Sequence, residues 1–214
     1  MEALKNKKRY FKILLAGILA VLFSSLRGVS QENWELVKDD ERIKVYLNKN
    51  NERDRLTHVK ATSMTKASLK ECYELLKEVN QYNTWMHGTE KVKLVEQYNP
   101  DKFIYYMLTD FPWPAKDRDV IIKTKIHYKK NKGVVYTVSQ NEKDVIPKKE
   151  DIRRIQKMNA SWKFKEIEPN RIKIIYEGRV LSSVVLPDWL KKHVSYIGPF
   201  NTIQNLREKI SSGS

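Results

Sequence analysis

The stretch that most constrains this chain is its C-terminal one, Leu186 to Ile210. Pro187 suits the first turn of a helix, where a missing N–H costs nothing, and Asp188 favours its positive end. Trp189, His193, Tyr196, Phe200, Ile203, Leu206 and Ile210 then recur at steps of three or four, with Leu190, Val194 and Ile197 widening the stripe. That spacing predicts one amphipathic helix with a broad apolar face. Pro199, after Gly198, removes the hydrogen bond to the carbonyl of Ser195 and predicts a bend there. A helix this bulky must lie on something concave and apolar.

Strands supply the concave partner. Trp34–Lys38 reads as a short lead-in to a first strand, Arg42–Leu47, and Leu56–Thr65 as a second. Leu69–Val79 reads as a helix opened by Ser68 and Glu71, followed by a short turn that brings Trp85 inward. Lys91–Gln97, Phe103–Phe111, Arg118–Lys129, Gly133–Gln140, Asp151–Glu166 and Arg171–Leu181 are rich in β-branched and aromatic residues. Their parities divide cleanly in places: Arg118, Val120, Ile122, Thr124 and Ile126 share one face, and Ile121, Lys123, Lys125 and His127 the other. Likewise Arg154, Met158, Trp162 and Phe164 oppose Arg153, Lys157, Lys163 and Lys165, and Ile172, Ile174, Tyr176 and Gly178 oppose Arg171, Lys173 and Arg179. A lysine-rich face opposite an apolar one suits a curved antiparallel sheet covered on one side. The fold class is α+β.

Residues 1–30 read separately. Lys5, Lys7, Lys8, Arg9 and Lys12 precede eleven apolar residues, Ile13 to Phe23, and small polar residues lead to a cleavage point near Ser30. This is the layout of a secretory signal peptide. Eleven residues rise about 16 Å as a helix against roughly 30 Å of hydrocarbon, so cleavage is expected over anchoring. The expected organisation is therefore a signal peptide (1–30), one domain (31–210) and a tail (211–214), exported to the periplasm or beyond. Of the formal charge of +15, residues 1–30 carry +5 and the remainder +10. Export directs that charge toward anionic membrane or envelope polymer rather than nucleic acid. Cys72, the only cysteine, cannot form an internal disulfide.

The sequence offers little to an enzyme. His58, His87, His127 and His193 lack metal-ligand spacing, and there is no Gly-x-Ser-x-Gly elbow or phosphate-cradling loop. The segment Phe111-Pro-Trp-Pro-Ala-Lys-Asp-Arg-Asp119 stands out instead: two prolines force an extended corner before a strand of alternating charge. By parity Arg118 and Arg154 both face inward, where a guanidinium needs a carboxylate or several carbonyls. Either Asp117 or another acid pairs with it to fix the corner, or it is a polar anchor in an apolar cavity.

Trp113-Pro-x-x-Asp-Arg-Asp119, preceded by Phe103-Ile-Tyr-Tyr and followed by a valine–isoleucine strand, resembles the START domain, the steroidogenic-acute-regulatory-protein-related lipid-transfer domain. Trp85-Met86, Pro147 with Ile152-Arg153, the Gly178 strand and Leu186-Pro-Asp-Trp-Leu190 extend the likeness over nearly all of the chain beyond residue 30. The resemblance is to the exported bacterial single-domain type. It implies a helix-grip (START/Bet v 1-like) fold: a curved antiparallel sheet wrapped around the C-terminal helix, with an internal apolar cavity. The cavity residues expected are Trp85, Tyr106, Leu108, Arg118, Ile122, Tyr136, Arg154, Trp162 and Tyr176 from the sheet side. Trp189, His193, Tyr196 and Phe200 are expected from the helix. Thr124 stands where some sterol-binding relatives carry a charged residue, which weakens a sterol assignment.

The expected function is non-catalytic binding, and transfer, of a lipid or other apolar molecule beneath the helix. No cofactor or metal is expected; the chain is expected to be a monomer that touches anionic membrane peripherally. Uptake would require the helix or the Leu181–Pro187 segment to move. Two alternatives stand beside this one. One is a cyclase- or dehydratase-type helix-grip enzyme using Arg118, Arg154, Tyr176 and His193. The other is a filled-core interaction domain using Lys123, Lys125, Lys163 and Lys173 on an anionic partner.

Overall fold

The computed structural model describes residues 33–49, 56–143, 145–181 and 187–212. The segment expected to be a signal peptide and residues 182–186 of the Leu181–Pro187 segment lie outside them. Among the described residues ten strands form one sheet: β1 (Trp34–Asp40), β2 (Ile43–Asn48), β3 (Leu56–Lys66), β4 (Thr89–Asn99), β5 (Lys102–Thr109), β6 (Arg118–Lys129), β7 (Val134–Asn141), β8 (Arg153–Arg154), β9 (Met158–Glu168) and β10 (Arg171–Leu181). The spatial order is β1-β2-β3-β10-β9-β7-β6-β5-β4, with β8 beside β6. Neighbours along that order are antiparallel, whereas β8 pairs with β6 in parallel.

Helix α1 (Leu69–Lys77) begins where expected. Ser68 Oγ accepts the N–H of Glu71, and the Glu71 carboxylate accepts the N–H of Ser68. It buries Leu69, Cys72 and Leu76 over β7 and β9, and burial pushes the Cys72 thiol up to about 12, which keeps it protonated. A 3₁₀ turn, Val79–Thr84, then delivers Trp85 into the core at 1% exposure. There it meets Trp162 edge-on, with ring centroids 5.4 Å apart, and Trp162 in turn contacts Tyr176 at 4.7 Å.

Two segments differ from the sequence reading. The single strand expected over Asp151–Glu166 is broken. Arg153 N–H bonds the Asp117 carbonyl and Ile155 N–H the Asp119 carbonyl, holding β8 at the start of β6 until β9 begins at Met158. The C-terminal helix is not one α-helix bent at Pro199. It runs as α2 (Asp188–Lys192), a π-helical turn (His193–Ile197) and α3 (Gly198–Ser212). A proline at 199 can neither donate to Ser195 nor tolerate its carbonyl close by, and a wider π turn relieves both demands. The additional residue in the turn rotates everything before it relative to α3. The apolar stripe is therefore split: Phe200, Ile203, Leu206 and Ile210 bury against the sheet, mainly β2 and β3, while Trp189 stays 42% exposed.

Candidate functional site

A cavity of about 390 Å³ lies on the inner side of the sheet. Its walls come from one end of the strands only: the starts of β3, β4, β6 and β9 and the ends of β5, β7 and β10. In an antiparallel sheet these termini lie together. The helical side is His193, Val194, Gly198, Pro199 and Thr202, so the π turn and the first turn of α3 face the space. The volume falls within the roughly 300–1,000 Å³ typical of ligand pockets.

The deep wall is apolar with a row of hydroxyls. Ile122 and Trp162 are buried beside Tyr105, Thr124, Thr137 and Ser139, all lining the space. Thr124 Oγ1 and Ser139 Oγ lie 2.8 Å apart, and Thr137 Oγ1 accepts the N–H of Trp162 at 2.9 Å. Burial pushes the phenol of Tyr105 up and that of Tyr176 up to about 12, so both stay neutral donors. Tyr176 keeps some accessible surface because it faces the cavity. Its ring lies along β10 over Gly178, where an added Cβ would sit 2.5 Å from the Tyr176 hydroxyl.

The outer end carries charge. Asp110, Arg153 and Lys157 are exposed there, with Phe111, Arg118, His87 and His193 partly buried behind them. Arg118 Nη1 donates to the Lys116 carbonyl at 2.7 Å, and the guanidinium stands 5.3 Å from the Phe111 ring centroid. Asp117 does not pair with it: its carboxylate accepts the Phe111 N–H at 3.1 Å, closing the 111–117 corner. Burial, then neighbouring Arg153, lowers the Arg118 pKa against the pull of Asp117. His193 lies 5.9 Å from His87 and 6.5 Å from Phe111 by ring centroid, and burial, then His87, lowers its pKa. The His87 N–H bonds Thr202 Oγ1 at 3.1 Å, tying α3 to the start of β4.

Of the expected residues, Arg118, Ile122, Trp162, Tyr176 and His193 come together on this cavity. Arg154 borders it, but its guanidinium does not point in. Its Nε and Nη2 donate to Asp119 at 2.6 and 2.8 Å on the other side of the sheet, and it also bonds the carbonyls of Ile146 and Pro147. Tyr106 and Leu108 lie on that same outer side with Ile104 and Ile121, because β5 pairs with β6 so that Tyr105 and Met107 face inward opposite Ile122 and Val120. Tyr136 also points outward and stacks on His127 at 4.7 Å, leaving Thr137 and Ser139 to line the cavity. Trp85 backs the wall behind Trp162, and Trp189 is exposed. Tyr196 and Phe200 pack in the core on the other side of the helix, Phe200 with the Lys38 ammonium 4.1 Å from its ring centroid. The sequence reading missed Tyr105, Met107, Thr137, Ser139 and His87. The hydroxyls had one available signal, since Thr124, Thr137 and Ser139 all alternate with bulkier neighbours.

A sequence profile described as START domain matches residues 15–176. An uncharacterized protein of Pseudomonas aeruginosa is 25% identical over 190 residues, 89% of this chain and 93% of that protein. The ceramide transfer protein of Xenopus laevis is 32% identical over 123 residues, 56% of this chain but only 19% of that longer protein. Among solved structures, a STAR-related lipid transfer protein fragment from Xanthomonas axonopodis superposes with a TM-score of 0.73 at 23% identity, covering 83% of this chain and 98% of that one. Human StAR-related lipid transfer protein 5 gives 0.71 at 12% identity, covering 96% and 99%. At these identities the likeness is one of fold.

Proposed function

Because the chain belongs to the START domain family, we propose that it binds one lipid or other apolar molecule in the cavity beneath the π turn, without chemistry, and hands it to or takes it from a membrane. The observation that carries this reading is the cavity itself, a space of about 390 Å³ walled by Ile122, Trp162 and Tyr176. Each methylene moved from water into such a space contributes about 0.8 kcal/mol, so an alkyl chain alone can bind tightly.

The mouth suits contact with an anionic bilayer. Trp113, two residues beyond Phe111, is 91% exposed, and Leu181 on the rim is 37% exposed, with Lys116, Arg153 and Lys157 nearby in the chain or on the rim. An amphipathic ring among cations is a common interfacial anchor. Export is part of the proposal and rests on the basic head and eleven-residue apolar run of residues 1–30; the domain beyond would act outside the cytoplasm as a monomer.

The test is extraction of the purified protein with organic solvent and mass spectrometry of what is released. About one apolar molecule per chain supports the reading. An empty extract, together with a crystal structure in which side chains fill the cavity, would leave only a filled-core domain. Sequencing the N-terminus of the same sample tests cleavage near Ser30.

A further inference from the structure

Resting on that reading, we propose that the ligand is an anionic amphiphile, a single carboxylate or phosphate head on an apolar chain, with its head held at the cavity mouth by Arg118 and Arg153. Among the described residues, the lining cations are Arg118, Arg153, Arg154 and Lys157, and the one lining carboxylate is the exposed Asp110. Arg154 is matched by Asp119 on the outer side. Among the described residues, Arg118, Arg153 and Lys157 make no ion pair within 4.0 Å. Two unmatched guanidinium groups, Arg118 and Arg153, therefore lie together at one end of a space with an uncharged interior.

Arg118 is the telling member. It is half-buried, it uses one N–H on the Lys116 carbonyl, and the carboxylate of its neighbour Asp117 is taken up by the Phe111 N–H. A desolvated guanidinium is tolerated when an anion completes its shell, and its planar fork matches a carboxylate or phosphate. Behind it, Phe111 and the His193–His87 pair separate the charged rim from the interior. The interior offers only neutral groups, the Tyr105 and Tyr176 phenols and the Thr124–Ser139 pair. An anionic head is thus favoured at the rim and disfavoured at depth, which sets the polarity of entry: chain first, head last.

The experiment uses wild-type protein stripped of bound lipid, with a neutral environment-sensitive fluorophore as reporter and three competitors of equal chain length: myristate, tetradecyl phosphate and 1-tetradecanol. At neutral pH and low salt, at least one anion is expected to compete about tenfold better than the alcohol, the scale of one charge-assisted hydrogen bond. Whichever anion leads distinguishes carboxylate from phosphate. Arg153→Gln, at an exposed position, and Arg118→Gln should each remove much of that advantage, read as the ratio of anion to alcohol competition within the same variant. Equal competition by all three in wild type would overturn the anionic head while leaving apolar binding intact. Failure of the reporter itself to bind would sink the cavity reading, and this inference with it.

Discussion

Arg118 and Arg154 lie one register step apart on the paired strands β6 and β8, yet their surroundings oppose one another. Arg154 is wrapped: two of its nitrogens meet Asp119, and the carbonyls of Ile146 and Pro147 take further N–H groups over Ile104, Leu108 and Ile121. Arg118, on the inner side, meets one carbonyl and one aromatic ring, and opens onto a cavity. One face of the sheet is finished by its own residues, with the 145–152 loop supplying Ile146 and Ile152 as a cover. The other leaves both apolar surface and positive charge unsatisfied. A cation fully paired within the fold serves stability; one left facing a cavity is available to a ligand.

The contrast between the two arginines is greatest at Asp119. Its carboxylate is 1% exposed and the Arg154 side chain 9%, so Asp119→Asn should cost about 3–5 kcal/mol in urea unfolding, the penalty of leaving a buried guanidinium unpaired. A loss below about 1 kcal/mol would mean that the two arginines do not differ as described. Ile121 and Ile122 carry the same contrast in apolar form, on opposite faces of one strand. Ile121→Ala should cost about 2–5 kcal/mol, whereas Ile122→Ala in the empty protein should cost roughly 1 kcal/mol less because its neighbour is already a void. Equal losses would argue that the cavity closes in solution.

Gly178→Ala adds a methyl 2.5 Å from the Tyr176 hydroxyl, and overpacking of this kind costs about 1–3 kcal/mol. The ring must swing into the cavity, so binding of an apolar probe should weaken alongside stability; weakened stability with unchanged binding would detach Tyr176 from the site. Arg118→Gln should leave stability within about 0.5 kcal/mol, in contrast to Asp119→Asn. The smallest effect is on pH dependence. His193 has a folded pKa below its ordinary 6.5, so the unfolded chain takes up a proton first on acidification. Stability should be level above that pH and fall below it, and His193→Gln should flatten the fall. An unchanged profile in that variant would place His193 in solvent.

Much of the fold was legible because strand parity is sharp wherever one face is charged. β6 and β10 alternate apolar residues with lysines or arginines, and their inward sets, such as Ile122 with Val120 and Tyr176 with Gly178, are the ones that line the cavity. β5 was illegible for a physical reason: its outer residues Ile104, Tyr106 and Leu108 are themselves covered, so both faces are apolar. β7 misled in the opposite sense. Its outward residues Val134, Tyr136 and Val138 are bulkier than Thr137 and Ser139, because a wall that leaves space for a guest carries small hydroxyl residues. Arg154 followed the parity of a continuous strand that does not exist, since β8 belongs to the edge of β6. On the helix, a stripe drawn at uniform pitch could not anticipate the π turn that turns His193 toward the cavity and strands Trp189 outside.

Whether the space beside Trp162 receives an apolar chain can be read by titrating stripped protein with a bromine-substituted long-chain alcohol and following tryptophan emission. Saturable quenching at one molecule per chain is expected, most of it lost in Trp162→Phe. Quenching that never saturates, or that is the same in Trp162→Phe as in wild type, would contradict it.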